Sequence, residues 1–153
     1  MAADELVDAV LGASRVLVAV AARSLAGAGA DVTLPQYRAL VVLASRGPQR
    51  TADLADELGV TPSTATRMTD RLVRKGLVRR RRSTSDRRTV SAVLTAAGAA
   101  LVEEVTTRRR AEIRNLIRAL PAADRPGLVA ALRRLADGAG EVPEQNWAAG
   151  WDL

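Results

Sequence analysis

Thr51-Ala-Asp-Leu-Ala-Asp-Glu-Leu-Gly-Val-Thr-Pro-Ser-Thr-Ala-Thr-Arg-Met-Thr-Asp70 is the stretch on which the fold turns. It reads as two short helices joined by a tight turn. Leu54, Ala55 and Leu58 share the inner face of the first, from Thr51 to Leu58, and Ala55 is small where the two helices must cross closely. Gly59 provides the positive φ that such a turn requires, and Val60 plugs the turn from inside. Thr61 is placed to cap the second helix, and Pro62 pre-sets its first φ. That helix runs to Lys75-Gly76 with Ala65, Met68, Thr69 and Leu72 facing inward.

The same spacing sends Ser63, Thr64, Thr66, Arg67, Asp70, Arg71 and Arg74 outward. A helix whose exposed N-terminal half is Ser, Thr and Arg can bond phosphates and base edges in a major groove. Its N-terminal dipole is positive, the sign a phosphate requires. The charge of the chain is concentrated here too. Residues 61–90 hold ten of the 23 Lys and Arg against two of the 17 acids, a net +8; the other 123 residues hold thirteen against fifteen, a net −2. Focused charge of this kind attracts a polyanion and speeds its encounter.

Outward from this centre the chain is helical on both sides. Leu6, Val10, Leu17, Val20 and Leu25 predict a first helix over about 4–26, ended by Gly27-Ala-Gly29. Thr33-Leu-Pro35 opens a second, which stops at Gly47-Pro48. Beyond the central pair, Leu77 to Arg82 and Thr89 to Leu94 are β-prone segments about a polar turn, a hairpin. From Thr95, Leu101, Val105, Ile113, Leu116, Ile117 and Leu120 predict a long helix of about 25 residues, which would be about 38 Å long. Pro121 breaks it, and Leu128, Val129, Leu132 and Leu135 mark a last helix. Gly138 to Leu153, with Trp147 and Trp151, reads as an irregular tail.

The expected fold is therefore mainly α with a small β-hairpin wing. A winged helix-turn-helix over 31–98 is flanked by a dimerisation helix over 1–30 and dimerisation helices over 99–138, with a tail over 139–153. The outer helices carry more apolar surface than so small a centre can cover, and a second copy of the chain is the simplest partner.

Composition excludes much else. Phe is absent and the only aromatics are Tyr37, Trp147 and Trp151, so the core is built of Leu, Val, Ile and Ala. Cys is absent, which removes disulfides, thiolate nucleophiles and thiol redox sensing. His is absent as well, and a metal site resting on carboxylates alone is a poor one for structural zinc. Asp56-Glu57 and Glu103-Glu104 point to different helix faces and do not converge on a substrate. With no glycine-rich phosphate loop either, no catalytic residue, metal site or cofactor is expected. No apolar run approaches the roughly 20 residues of a membrane span, and the N-terminus lacks a secretory signal, so cytoplasmic residence is expected.

Three stretches resemble the MarR family of bacterial winged-helix transcriptional regulators, and the likeness runs from the first helix to about residue 138. They are Thr51-Ala-Asp-Leu-Ala-Asp-Glu-Leu-Gly59, Arg67-Met-Thr-Asp-Arg-Leu-Val-Arg-Lys-Gly-Leu77, and Ser85-Asp-Arg-Arg-Thr89 leading to Leu94-Thr-Ala-Ala-Gly98. The resemblance implies an obligate homodimer on a palindromic double-stranded operator, more often as repressor than activator. It places Arg88 in the minor groove with Asp86 helping to hold it and Arg87 beside it. It also implies release by a small anionic or lipophilic effector in a crevice between the dimer helices and the winged domain, with Tyr37 near it and Arg15 or Arg38 favouring an anion. Ser83 departs from the pattern, since relatives often carry an acid early in the wing. Absence of Cys excludes the thiol-oxidation branch, and absence of His and Cys disfavours zinc sensing. A winged domain that binds RNA or protein without reading an operator is the alternative; A-form RNA does not admit a helix into its major groove, which favours duplex DNA.

Overall fold

The computed structural model describes residues 2–147. Its helices are α1 (Ala3–Gly27), α2 (Leu34–Arg46), α3 (Thr51–Leu58), α4 (Pro62–Arg74), α5 (Ala96–Ile117) and α6 (Arg125–Gly138), with single 3-10 turns at Ala122–Asp124 and Glu144–Asn146. The strands are β1 (Gln49–Arg50), β2 (Val78–Arg82) and β3 (Val90–Leu94). They form one antiparallel sheet in the order β1-β3-β2, with Gln49 and Arg80 both opposite Ala92. The winged helix-turn-helix with outer helices is thus present, and the expected hairpin is two strands of a three-stranded sheet. β1 is two residues long, too short for any periodicity to betray it, and it pairs with β3 some forty positions on.

Local chemistry fixes the element ends. Thr33 and Gln36 form a reciprocal capping box, Gln36 N donating to Thr33 Oγ1 (3.3 Å) and Thr33 N to Gln36 Oε1 (3.1 Å). Thr61 Oγ1 accepts from Thr64 N (3.2 Å), and Gly59 ends α3 at φ +63°. Thr95 caps α5 by accepting from Gly98 N (3.1 Å) while its hydroxyl donates to Gly76 O (2.7 Å). At Gly98 a Cβ would stand 2.2 Å from Leu77 O, so only glycine lets α5 start this close to the α4–β2 turn. α5 is shorter than expected, 22 residues ending at Ile117. Its last turn loosens ahead of Pro121, since the residue before a proline disfavours helical geometry.

The core is centred on α2, where Ala39 to Ala44 are all buried, and is completed by Leu54, Leu72, Val78, Leu94, Val102 and Val105. The buried pair Leu54 and Ala55 on α3 and Ala65, Thr69 and Leu72 on α4 make the expected helix-turn-helix contact. α1 joins this core only at its C-terminal end, through Val20, Ser24 and Leu25, and Glu112 of α5 takes both Ser24 Oγ (3.2 Å) and Arg23 Nε (3.0 Å). α6 buries nothing. Beyond α6, Glu141 to Trp147 lies back against α2 and α5, with Trp147 packed on the core. Trp151 lies outside the described residues.

Candidate nucleic-acid interface

The N-terminus of α4 carries a connected polar cluster. Thr61 Oγ1 lies 3.1 Å from Ser63 Oγ and donates to Thr64 Oγ1 (3.0 Å), which also accepts from Arg67 Nη2 (3.4 Å). Ser63, Thr66, Arg67, Arg71 and Arg74 are exposed and Thr64 is half-buried, the face expected from spacing. Thr66 Oγ1 donates to Pro62 O (2.9 Å), which leaves its lone pairs, not its proton, outward. Arg67, steadied by Thr64, projects from the first two turns, where a helix end-on in a major groove meets bases. Between this face and the start of α2 lies a cleft of about 300 Å³ lined by Thr33, Gln36, Thr64, Arg67, Met68 and Arg71.

Asp70 on the outward face is half-exposed and not free. It pairs with Arg80 of β2, clamping the stem of the wing to α4. Lys75, the C-cap of α4, pairs with Asp31 in the α1–α2 loop (2.9 Å). Arg80 and Lys75, two cations of residues 61–90, are therefore paired with acids of the protein, and Asp31 lies outside the basic segment. Arg50 and Asp53 pair at the start of α3 (2.9 Å). With Arg81, Arg82 and Ser83 they line a second cleft of about 550 Å³ beside the wing. Arg82 is exposed there, a cation within the basic run Arg79 to Arg82 that spacing alone does not single out.

The wing tip is built by four short-range acceptors on two residues. Ser83 Oγ accepts from Ser85 N and Asp86 N (both 3.3 Å), so this serine ties the start of the wing turn locally. Asp86 Oδ1 accepts from Arg88 N (3.0 Å) and Oδ2 from Thr89 Oγ1 (3.2 Å), while Asp86 O accepts from Thr89 N (3.0 Å). Asp86 thus holds Arg88 by its backbone, leaving the side chains of Arg87 and Arg88 exposed at the tip. An Asx-type turn of this kind presents the two arginines from a fixed loop.

The three residues expected near an effector lie in different settings. Tyr37 is 4% exposed and its hydroxyl has no hydrogen-bond partner among the described residues. Arg38 is bidentate with Glu141 (3.1 and 2.8 Å). The fork of Arg38 holds the Glu141 carboxyl below the ordinary glutamate value, with Arg46 and Arg109 adding to the effect, and Glu141 raises Arg38 in turn. Arg15 stands on the exposed part of α1, and no hydrogen bond or ion pair joins it to Tyr37 or Arg38 among the described residues. Among the described residues no group of three or more Asp or Glu is placed to hold a metal, and no helix is long and apolar enough to cross a membrane.

Comparison with known proteins agrees with this architecture. The model of the MarR family matches residues 32–90. Among solved structures the chain is similar to RV1404 from Mycobacterium tuberculosis, with 42% identity over 94% of this chain and 97% of that one and a TM-score of 0.86. It is similar to wild-type MarR from E. coli in its apo form, with 26% identity over 88% and 97% of the two chains and a TM-score of 0.71. It is also similar to a MepR-like protein complexed with pseudoligands, with 29% identity over 91% and 97% and a TM-score of 0.54. No curated protein matches it.

Proposed function

This chain belongs to the MarR family of winged-helix transcriptional regulators, and from that premise we propose that it is a cytoplasmic, homodimeric repressor of a palindromic operator. The observation that carries the reading is the exposure of Ser63 and Arg67 on α4, with Thr64 bonded to Arg67, together with that of Arg87 and Arg88 on the ordered wing that Arg80 ties to α4. The α4 cluster suits base edges and phosphates, and two exposed arginines on a fixed tip suit a narrow minor groove with its enhanced negative potential. The apolar side chains left open on α1 and α6 support the homodimer, and a two-fold dimer matches a palindromic site. Occupation of such a site excludes other proteins from it, which is the simplest route to repression.

Selection of bound duplexes from random DNA, followed by gel shifts with duplex and RNA competitors, tests the reading. A selected inverted repeat that resists RNA competition supports it. Equal competition by RNA, or no enriched sequence, would leave the alternative winged domain that binds RNA or protein.

Control by a small molecule is the second part of the proposal. The MepR-like relative is complexed with pseudoligands, and here the buried Tyr37 hydroxyl stands without a partner, a group that a ligand oxygen would satisfy. Arg38 reaches an anionic ligand only by leaving Glu141, whereas Arg15 is open to one. The ligand acts by binding the DNA-incompetent state more tightly. Titration of the operator complex with aromatic acids and lipophilic metabolites, in wild type and Tyr37→Phe, tests this. Release that weakens in Tyr37→Phe supports the site; release by none of them removes it.

A further inference from the structure

α6 touches the rest of its own protomer chiefly through the short turn that precedes it, yet the chain that follows it is anchored at four points. It turns back at Gly140, whose carbonyl accepts from Arg46 Nη2 (2.7 Å). Glu141 then closes on the fork of Arg38 (2.8 and 3.1 Å). Glu144 pairs with Arg110 of α5. Trp147 packs against the core, and its Nε1 donates to Val142 O (2.8 Å), which satisfies the indole and tightens the loop.

Arg38 and Arg46 lie on α2, the central helix of the winged domain, whereas α6 belongs to the helical frame. α5 leaves the winged domain, α6 returns, and the segment Gly140–Trp147 closes the circuit. Charge favours closure: Arg38, Arg46 and Arg109 all act on the single Glu141 carboxylate. Exposed ion pairs hold weakly one at a time, but a two-point fork, a main-chain bond and a packed indole fix one geometry together.

We infer that Gly140–Trp147 is a clasp that fixes the angle between the frame and the winged domain, with Glu141 as the positioning residue. Among the described residues the side-chain hydrogen bonds and ion pairs of the clasp go to α2, α5 and its own loop. Its effect on DNA passes entirely through where the two winged domains stand relative to each other. The inference rests on the two-headed dimer proposed above. With the clasp closed, both α4 helices are held at one separation, and the second half-site is engaged at high effective concentration. With it open, each winged domain still reads its own half-site but the pair no longer matches the operator.

The test compares full operator with a single half-site, using the full-length dimer and the Glu141→Ala and Arg38→Ala variants. A wild type that does not prefer the full operator would overturn the dimeric reading itself, independently of the clasp. Given that preference, each variant should keep the dimer in sedimentation, keep its half-site affinity, and lose roughly tenfold on the full operator. The chain lacks cysteine, so Arg38→Cys with Glu141→Cys can be joined by a short bis-maleimide. Joining should restore full-operator affinity that the unjoined double variant lacks. Unchanged full-operator affinity in Glu141→Ala would overturn the clasp. So would an equal loss on half-site and full operator, or a defect that joining does not repair.

Discussion

The winged domain and the frame bury their apolar residues in opposite ways. In the winged domain Leu40, Leu43, Leu54 and Leu72 are enclosed by their own protomer, and capping threonines close the helix ends locally. In the frame, Leu6, Val7, Val10, Leu11 and Val18 of α1 and Leu128, Val129, Leu132 and Leu135 of α6 face outward. The first region carries its fold within one chain. In the frame the N-terminal part of α1 and all of α6 have helices but no covering core, and in the dimer proposed above another copy of the same surface completes them at no cost in extra sequence. On that proposal the chemistry of DNA contact lies in a self-sufficient module, while its spacing is a property of the pair.

The largest effect should come from breaking the incomplete region. Leu132 is 51% exposed in one protomer, so Leu132→Glu should leave the winged domain folded by circular dichroism yet abolish the dimer. Loss of the second head should lower full-operator affinity by a hundredfold or more. Retention of dimer and operator binding would mean that α6 is not the seam.

The complementary cut is in the enclosed region. Leu40 is fully buried, and Leu40→Ala should destabilise the winged domain by about 2–5 kcal/mol, read as a lower denaturation midpoint at unchanged slope. A cost below about 1 kcal/mol would contradict the packing described for α2.

Within the reading surface, α4 and wing should separate. Arg67→Ala is expected to relax preference at one base pair of each half-site, at about 1–3 kcal/mol. Arg88→Ala should weaken binding broadly, most on A·T-rich flanks, and lower the salt slope by about 1. If Arg67→Ala left base preference intact, the reading face would be misassigned. If Arg88→Ala altered a single base pair only, the wing would be a reader, not a grip.

The smallest effect concerns acid. The Arg38 fork lowers the Glu141 carboxyl, so the unfolded or released glutamate binds a proton at higher pH than the clasped one. The stabilisation from this pair is therefore fully present above the ordinary glutamate value of about 4.3 and fades only as pH falls through the lower, clasped value. Arg38, Arg46 and Arg109 surround the carboxylate, and the pair is more than a third exposed, so screening keeps the contribution modest. Trp147 fluorescence in a Trp151→Phe background should report release below the usual glutamate range. Release near pH 6 would contradict the pairing.

What could be read from sequence was what chemistry decides within a few residues. The cap at Thr61, the turn at Gly59, the proline after it and the small Ala55 at the crossing are all local, and all stand where spacing placed them. Ser63, Arg67, Arg71 and Arg74 face outward for the same reason. Three features were hidden because their partners lie on other elements. β1 is two residues paired with a strand some forty positions later. Asp70 lies on the outward face by periodicity, and its pairing with Arg80 of the wing stem is not written in the spacing of α4. Arg38 reads as an available cation until Glu141, 103 positions on, closes on it. Composition marks Gly138 onward as irregular, and nothing local in Glu141 or Trp147 says that the chain folds back.

Hydroxyl-radical footprinting of the dimer on its selected DNA tests the central claim most directly. Two protected half-sites on one face of the duplex are predicted, with centres about 34–36 Å apart, one helical turn. Arg67→Ala should blur the sequence dependence of both while keeping their spacing. A single protected patch, or protection that ignores sequence in the wild type, would contradict a paired reading of DNA by α4.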